Sequence, residues 1–307
     1  MPNNLYIKLG SGLAKEHHVG NKGALLDKAV LAGLPVPNGI ILLDTVWDQA
    51  LLSGLMDIRD GRVIVPKPEA LSRFLSLPTF EKLVAVRSAF SAEDREDQSN
   101  AGYFETVLRV DAGKPEQLAA ALCRVLESVL IKQTITWEMP AVTITDSQPL
   151  PRFQRVRRDV LIMEMVEAKH AGVAFTEREY EDDLVNFTTG TAEKLVGGGV
   201  AGESKLIPKL RMWEKRPNHV PLQTWKARLQ RLLRDVRQWM GSKRDWDLEW
   251  ADDGERCWLV QLRPVTRPTL RNEAFTIANH KEILPALPST FMTSVVESCS
   301  MDLFQYY

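Results

Sequence analysis

The stretch Val84–Thr106, VAVRSAFSAEDREDQSNAGYFET, decides how this chain is read. It opens as a short apolar strand, sets Arg87 at the strand's end, and runs on through acids, small hydroxyls and Gly102. A guanidinium delivered into such a loop has two readings. Its planar fork is a natural partner for phosphoryl oxygens, while the acids from Glu93 to Asp97 offer a structural ion pair. Ser99-Asn-Ala-Gly102 is a small-residue turn whose backbone N–H groups could approach a phosphate, and a plain hairpin turn explains it too. Phe104 to Val110 alternates and is rich in β-branched residues, which predicts a strand after the turn.

Outward from this stretch, Gly20-Asn-Lys22-Gly23 leads into ALLDKAVLAG, a helical pattern ended by Gly33. A lysine where a loop enters a helix suits an anion, because the helix start adds oriented N–H groups; a solvated surface lysine is the alternative. Gly39 to Leu43 reads as a strand. Pro115 fits the first position of a long helix with a stripe through Leu118, Leu122, Val125 and Val129. Val160 to Val166, VLIMEMV, is a buried strand, and its Met163–Val166 edge could line a flat base, or be plain core. Asp183 to Thr188 is a further strand, and Pro221 is expected to start a helix running through Leu229, Leu233 and Val236 to Met240.

In DWDLEW, period-two alternation turns Trp246, Leu248 and Trp250 one way and Asp245, Asp247 and Glu249 the other. In CWLVQLR, Gln261 and Arg263 share a face with Leu259. Glu249 and Gln261 are hard oxygen donors suited to Mg²⁺, and Arg263 could neutralise phosphoryl charge. A two-residue turn at Asp253-Gly254 would set Glu249 opposite Trp258, so pairing Glu249 with Gln261 needs a looser loop. The alternative is a solvated acidic face.

With 307 residues, 44% hydrophobic and 26% charged, the chain can bury a sizeable core, and two or three domains, or one large α/β body with subdomains, are expected. A net charge of −1 argues against non-specific nucleic-acid binding. Cys123, Cys257 and Cys299 lack CxxC spacing, as befits reduced thiols in a cytoplasm. No signal peptide is expected in MPNNLYIKLG, and no apolar run approaches the length of a membrane span. His17, His18, His170, His219 and His280 have neither metal-ligand spacing nor the Gly-rich or Thr-bearing context of a phosphorylated imidazole, and there is no GxSxG.

Taken in order, GNKGALLDKAVLAGLPVPNGI, VAVRSAFSAED, NAGYFET, EMVEAKHAGVAFT and LEWADD with LVQLRPVT resemble the N-terminal nucleotide-binding domain of phosphoenolpyruvate synthase, pyruvate phosphate dikinase and rifampicin phosphotransferase. The resemblance runs from Gly20 to Thr266. It implies an α+β or α/β, ATP-grasp-like fold of two lobes closing on ATP with Mg²⁺. It also implies Lys22 and Arg87 at the phosphates with Arg263 at the γ-phosphate, and Glu249 and Gln261 as metal ligands. Gly102, Thr106, Met163, Glu164, Met165, Val166 and Glu193 would surround the nucleotide. The expected division is a lobe over 1–80, the remaining body with the adenine strand and metal hairpin over 81–268, and the start of a linker over 269–307. Family members phosphorylate a histidine on a swivelling domain, which passes the group to an acceptor domain; both would lie elsewhere in a longer polypeptide or in a partner subunit. The chain departs from the family at Ala89, Tyr103, Phe104, Met163 and Ala192. Two other readings are a single-chain ATP-grasp carboxylate ligase and a nucleotide-binding module without turnover.

Overall fold

The computed structural model describes residues 5–91, 104–136, 157–176, 178, 180–190, 203–210 and 224–265. All of them fall in one compact unit, Met1–Thr266. Two five-stranded antiparallel sheets organise it.

The first sheet joins β1 (Tyr6–Lys8), β2 (Gly39–Leu42), β5 (Val84–Ser88), β6 (Thr106–Val110) and β7 (Val160–Glu164) in the order β1-β2-β7-β5-β6, while β3 (Asp57–Arg59) and β4 (Arg62–Ile64) form a separate hairpin. The apolar run VLIME is the central strand because both of its faces are covered. Val160 and Ile162 pack with Val84, Val86 and Phe90 among buried residues of the helices α2 (Thr45–Leu52), α3 (Pro68–Leu75) and α4 (Pro115–Thr136). Leu161 and Met163 instead join the cluster containing Ala174, Leu248 and Leu259. Pro115 opens α4 at its first turn, where a missing N–H costs nothing, and Leu118, Leu122 and Val125 are buried as their spacing requires.

The second sheet runs β10-β9-β8-β11-β12, with β8 His170–Thr176, β9 Asp182–Thr189, β10 Glu203–Pro208, β11 Trp246–Asp252 and β12 Cys257–Pro264. Helix α5 (Trp225–Met240) lays Leu229, Leu232, Leu233, Val236 and Met240 into the same cluster as Trp246, Leu248 and Trp250. It begins at Trp225, with Thr224 Oγ1 accepting the Ala227 N–H at 3.3 Å, rather than at Pro221, which lies outside the described residues. Helix α1 (Asn21–Leu31) buries Leu26 and Ala29 in this cluster.

The α+β class expected from the sequence is the class observed. One expectation is corrected. Arg87 lies within β5 rather than at its end, since pairing with β7 continues through Arg87↔Leu161 and Ser88↔Val160. The strands β2 and β5 flank the same strand, β7, so the first sheet draws on residues from both sides of position 80. Among the described residues, no helix is long and apolar enough to cross a membrane.

Candidate functional site

Three of the predicted side chains, Arg87, Glu249 and Gln261, meet where the two sheets face each other, and Lys22 reaches the strand position next to Arg87. Arg87 projects from β5, buried to 8% exposure. Its Nη2 donates to Gln261 Oε1 at 2.7 Å and to Glu249 Oε2 at 3.0 Å, and its Nη1 donates to the Val260 carbonyl at 3.4 Å. Lys22 Nζ donates to the carbonyl of Ser88, the residue after Arg87, at 3.0 Å. Thr106 stands directly opposite Arg87 on β6.

A counted set of residues makes this convergence. Asp252 pairs with Cys257, leaving a four-residue loop, Asp253 to Arg256, where a two-residue turn would have set Glu249 opposite Trp258. That loop alone would still set Glu249 against Val260. A β-bulge supplies the last step: Trp250 pairs with Leu259, Glu249 pairs with Gln261, and Val260 is left over. Extra residues of this kind re-aim side chains and leave their own backbone outside the ladder. Here Gln261 turns to the Glu249 face, and the carbonyl of Val260 receives Arg87.

Arg263 follows on the same face, opposite Asp247. Its Nε and Nη2 donate to Asp247 Oδ2 at 2.6 and 2.5 Å. Burial pushes the Asp247 carboxyl above its ordinary range, the charge and hydrogen bond of Arg263 oppose that rise, and Glu249 adds to it. Asp247 was legible as an acid on the Glu249 face of β11, though its role as the holder of Arg263 was not.

Lys22 sits in the first turn of α1, where a cation is unfavourable to the helix dipole. Its position is therefore not explained by helix stability. Gly20, the cap of α1, has no room for a side chain: a Cβ there would lie 2.4 Å from the Ala89 carbonyl oxygen. That close approach fixes the start of α1 against the end of β5.

The base side of the predicted site is arranged differently from expectation. Met163 is in the central strand, with main-chain neighbours Gly39 and Ala85 on either side, so it is not an edge. The Glu164 and Met165 N–H groups donate to the Asn38 and Leu83 carbonyls at 2.8 Å each, and Val166 accepts from the Ala168 N–H. Met163 shares the Arg87 face, through the pairs Ala85↔Met163 and Arg87↔Leu161, whereas alternation sends Glu164 to the other face. There Glu164 Oε2 accepts from Asn38 Nδ2 at 3.1 Å and Oε1 from the Glu81 N–H at 3.0 Å. Glu164 lines a cleft of about 270 Å³ with Lys8, Asn38, Phe80 and Glu81; none of Lys22, Arg87, Glu249, Gln261 or Arg263 lines it. Met165 Sδ accepts the N–H of Arg109, a residue with φ of 59°. Gly102 and Glu193 lie outside the described residues.

The donor set fits a hard divalent cation. Glu249 and Gln261 are directly paired, and one nitrogen, Arg87 Nη2, is within hydrogen-bond reach of an oxygen from each. Among the described residues there is no cluster of three or more His, Cys, Asp or Glu that could cage a metal ion. An ion at Glu249 and Gln261 thus needs further oxygens from a ligand, as Mg²⁺ takes them from phosphates. Arg87 Nε is buried and has no hydrogen-bond partner among the described residues, an unsatisfied donor at this point.

Residues 69–221 match the family model described as the pyruvate phosphate dikinase AMP/ATP-binding domain. The chain is 25% identical over 303 residues to the prodigiosin synthesizing transferase PigC of Serratia marcescens, covering 84% of this chain and 32% of that protein. It is 26% identical over 230 residues to the phosphoenolpyruvate synthase of Aeropyrum pernix, covering 62% of this chain and 27% of that one. The chain therefore spans about a third or less of the length of these two relatives. Among solved structures, the dinucleotide-forming acetyl-coenzyme A synthetase 1 of Ca. Korarchaeum cryptofilum matches at 13% identity and a TM-score of 0.40, over 83% of this chain and 96% of that one. A likeness that slight adds nothing to the reading of the site.

Proposed function

We propose that this chain, a member of the phosphoenolpyruvate synthase and pyruvate phosphate dikinase family through its AMP/ATP-binding domain, is the Mg–ATP-binding part of a dikinase-type phosphotransferase. The observation that carries the reading is the convergence of Glu249 Oε2 and Gln261 Oε1 on a single cationic nitrogen of Arg87, with Lys22 on the carbonyl of the following residue and Arg263 and its acid two residues along the strands. Glu249 and Gln261 are the residues that would hold Mg²⁺, which when bound draws off negative charge from the nucleotide phosphates. Lys22 and Arg87 take phosphoryl oxygens, with Thr106, Gly102 and Glu193 around them. Arg263, held by Asp247, meets the γ-phosphate, where charge changes most in transfer. On the base side, the end of β7 at Met163 and the Met165–Val166 segment after it form the wall for the adenine.

The phosphoryl acceptor in this reading is a histidine on a swivelling domain, from which a small molecule such as pyruvate, water or an antibiotic hydroxyl takes the group. Both the histidine domain and the acceptor domain belong to a longer polypeptide or a partner subunit, and the setting is the cytoplasm. The test is titration of Mg–ATP into the chain and into Arg263→Ala, followed by product analysis after a phosphohistidine domain is added. Histidine-dependent AMP formation, falling about 10²- to 10³-fold in the variant, is the expected result. A parent chain that binds no nucleotide would sink the reading.

A further inference from the structure

Asp159 immediately precedes the central strand and is fully buried, at 0% exposure. Its carboxylate accepts the N–H of Asp44, which caps α2, at 2.9 Å on Oδ1. On Oδ2 it accepts the N–H of Gly20, which caps α1, at 3.4 Å. Arg157 neutralises it from one side, Nη2 to Oδ1 at 2.9 Å and Nε to Oδ2 at 3.1 Å. Its main-chain carbonyl receives the Ala89 N–H at 2.9 Å, the Arg157 carbonyl receives the Ser91 N–H at 3.2 Å, and the Arg157 N–H donates to Ser91 Oγ at 3.0 Å. Burying a carboxylate in this way is costly unless it is paired and hydrogen-bonded. Burial indeed raises the Asp159 carboxyl above its ordinary range against the pull of Arg157 and the two N–H groups. The chain tolerates that cost at the one point where the starts of α1 and α2 and the end of β5 come together.

We infer that Asp159, with Arg157, is the positioning group that sets Lys22 for the nucleotide phosphates. This rests on the proposed reading of Lys22 as a phosphate contact. The path is short. Asp159 holds the amide of Gly20; Gly20 sits against the Ala89 carbonyl with no room for a Cβ; Lys22 is two residues on and reaches the carbonyl of Ser88. Loss of the carboxylate frees the start of α1 to shift relative to β5, and Lys22 shifts with it.

The experiment is a double-mutant cycle on the full chain, with Mg–ATP affinity measured well below the unfolding temperature of every variant. Asp159→Asn is expected to weaken binding about tenfold in the parent background and by less than about twofold in Lys22→Met, because the effect passes through a lysine that is gone. If Asp159→Asn does not fold, Arg157→Gln, which leaves Asp159 in place and removes its bidentate partner, enters the cycle with the same expected pattern. A loss of affinity that persists undiminished in the Lys22→Met background would overturn the inference and leave Asp159 as a stabilising group only. So would an unchanged affinity in folded Asp159→Asn, or in folded Lys22→Met. A parent that binds no Mg–ATP overturns the proposed function first, and the inference with it.

Discussion

The two ends of the candidate nucleotide site are built on different principles. At the phosphate end, the polar atoms are mostly side-chain atoms: one guanidinium of β5 reaches an acid, an amide and one bulged main-chain carbonyl on β11 and β12. At the base end, the polar atoms are mostly main chain and are already in use, with the Glu164 and Met165 amides given to neighbouring carbonyls. A side-chain cluster can exchange partners when a ligand arrives, since each side chain turns on its own torsions. A sheet amide cannot leave its ladder without costing the fold a hydrogen bond. The phosphate end is therefore where ligand chemistry can be accommodated, and the base end is where the scaffold is held.

The comparison can be broken at either end. Arg87→Met should have the larger effect. It removes the guanidinium that three acceptors converge on, and Mg–ATP affinity should fall on the order of 10- to 100-fold, the range for hydrogen bonds to a charged group. Isothermal titration of the folded variant checks it, and an affinity within twofold of the parent would remove Arg87 from the site. The smaller effect is expected from Glu164→Ala. Its carboxylate serves Asn38 and the Glu81 amide on the face opposite Arg87, so stability should drop by about 1 kcal/mol for the lost hydrogen bonds. Nucleotide affinity should stay within about twofold of the parent. A tenfold loss of ATP binding in that variant would put the base at Glu164 and undo the contrast between the two ends.

How much of this was legible in the sequence follows from which interactions are local. Alternation in DWDLEW correctly put Asp247 and Glu249 on one face of β11, because period two is a property of the strand itself, whereas the bulge at Val260 parts Gln261 and Arg263 from the Leu259 face that alternation in CWLVQLR gave them. Their register was not legible, since it depends on a four-residue loop plus a bulge at Val260, neither of which leaves a distinctive residue pattern. The strand at Val160 was plain from its unbroken apolar run, but its central place was not: VLIME reads the same at an edge or in the middle. That place is what commits the backbone of Met163. The hairpin of β3 and β4 was missed, although Asp60 and Gly61, both at positive φ, carry the Asp-Gly signal of a tight hairpin turn. Strand β10 was missed for a better reason, because ESKLIP is exposed at four of its first four positions and has no apolar face to read. Asp159 left a faint signal, a single acid opening a fully buried strand, but its partners Gly20 and Asp44 lie more than a hundred residues away in the chain.

The most direct test of the phosphate end is metal binding itself. Mn²⁺, used in place of Mg²⁺, can be followed by its paramagnetic resonance signal as it is titrated with and without ATP into the parent and into a Glu249→Ala, Gln261→Ala double variant. The parent should hold Mn²⁺ tightly only when ATP supplies the remaining oxygens, and the double variant should bind the Mn–ATP complex on the order of 100-fold more weakly. Equal Mn–ATP binding by the two proteins would contradict the assignment of Glu249 and Gln261 as the metal-holding pair.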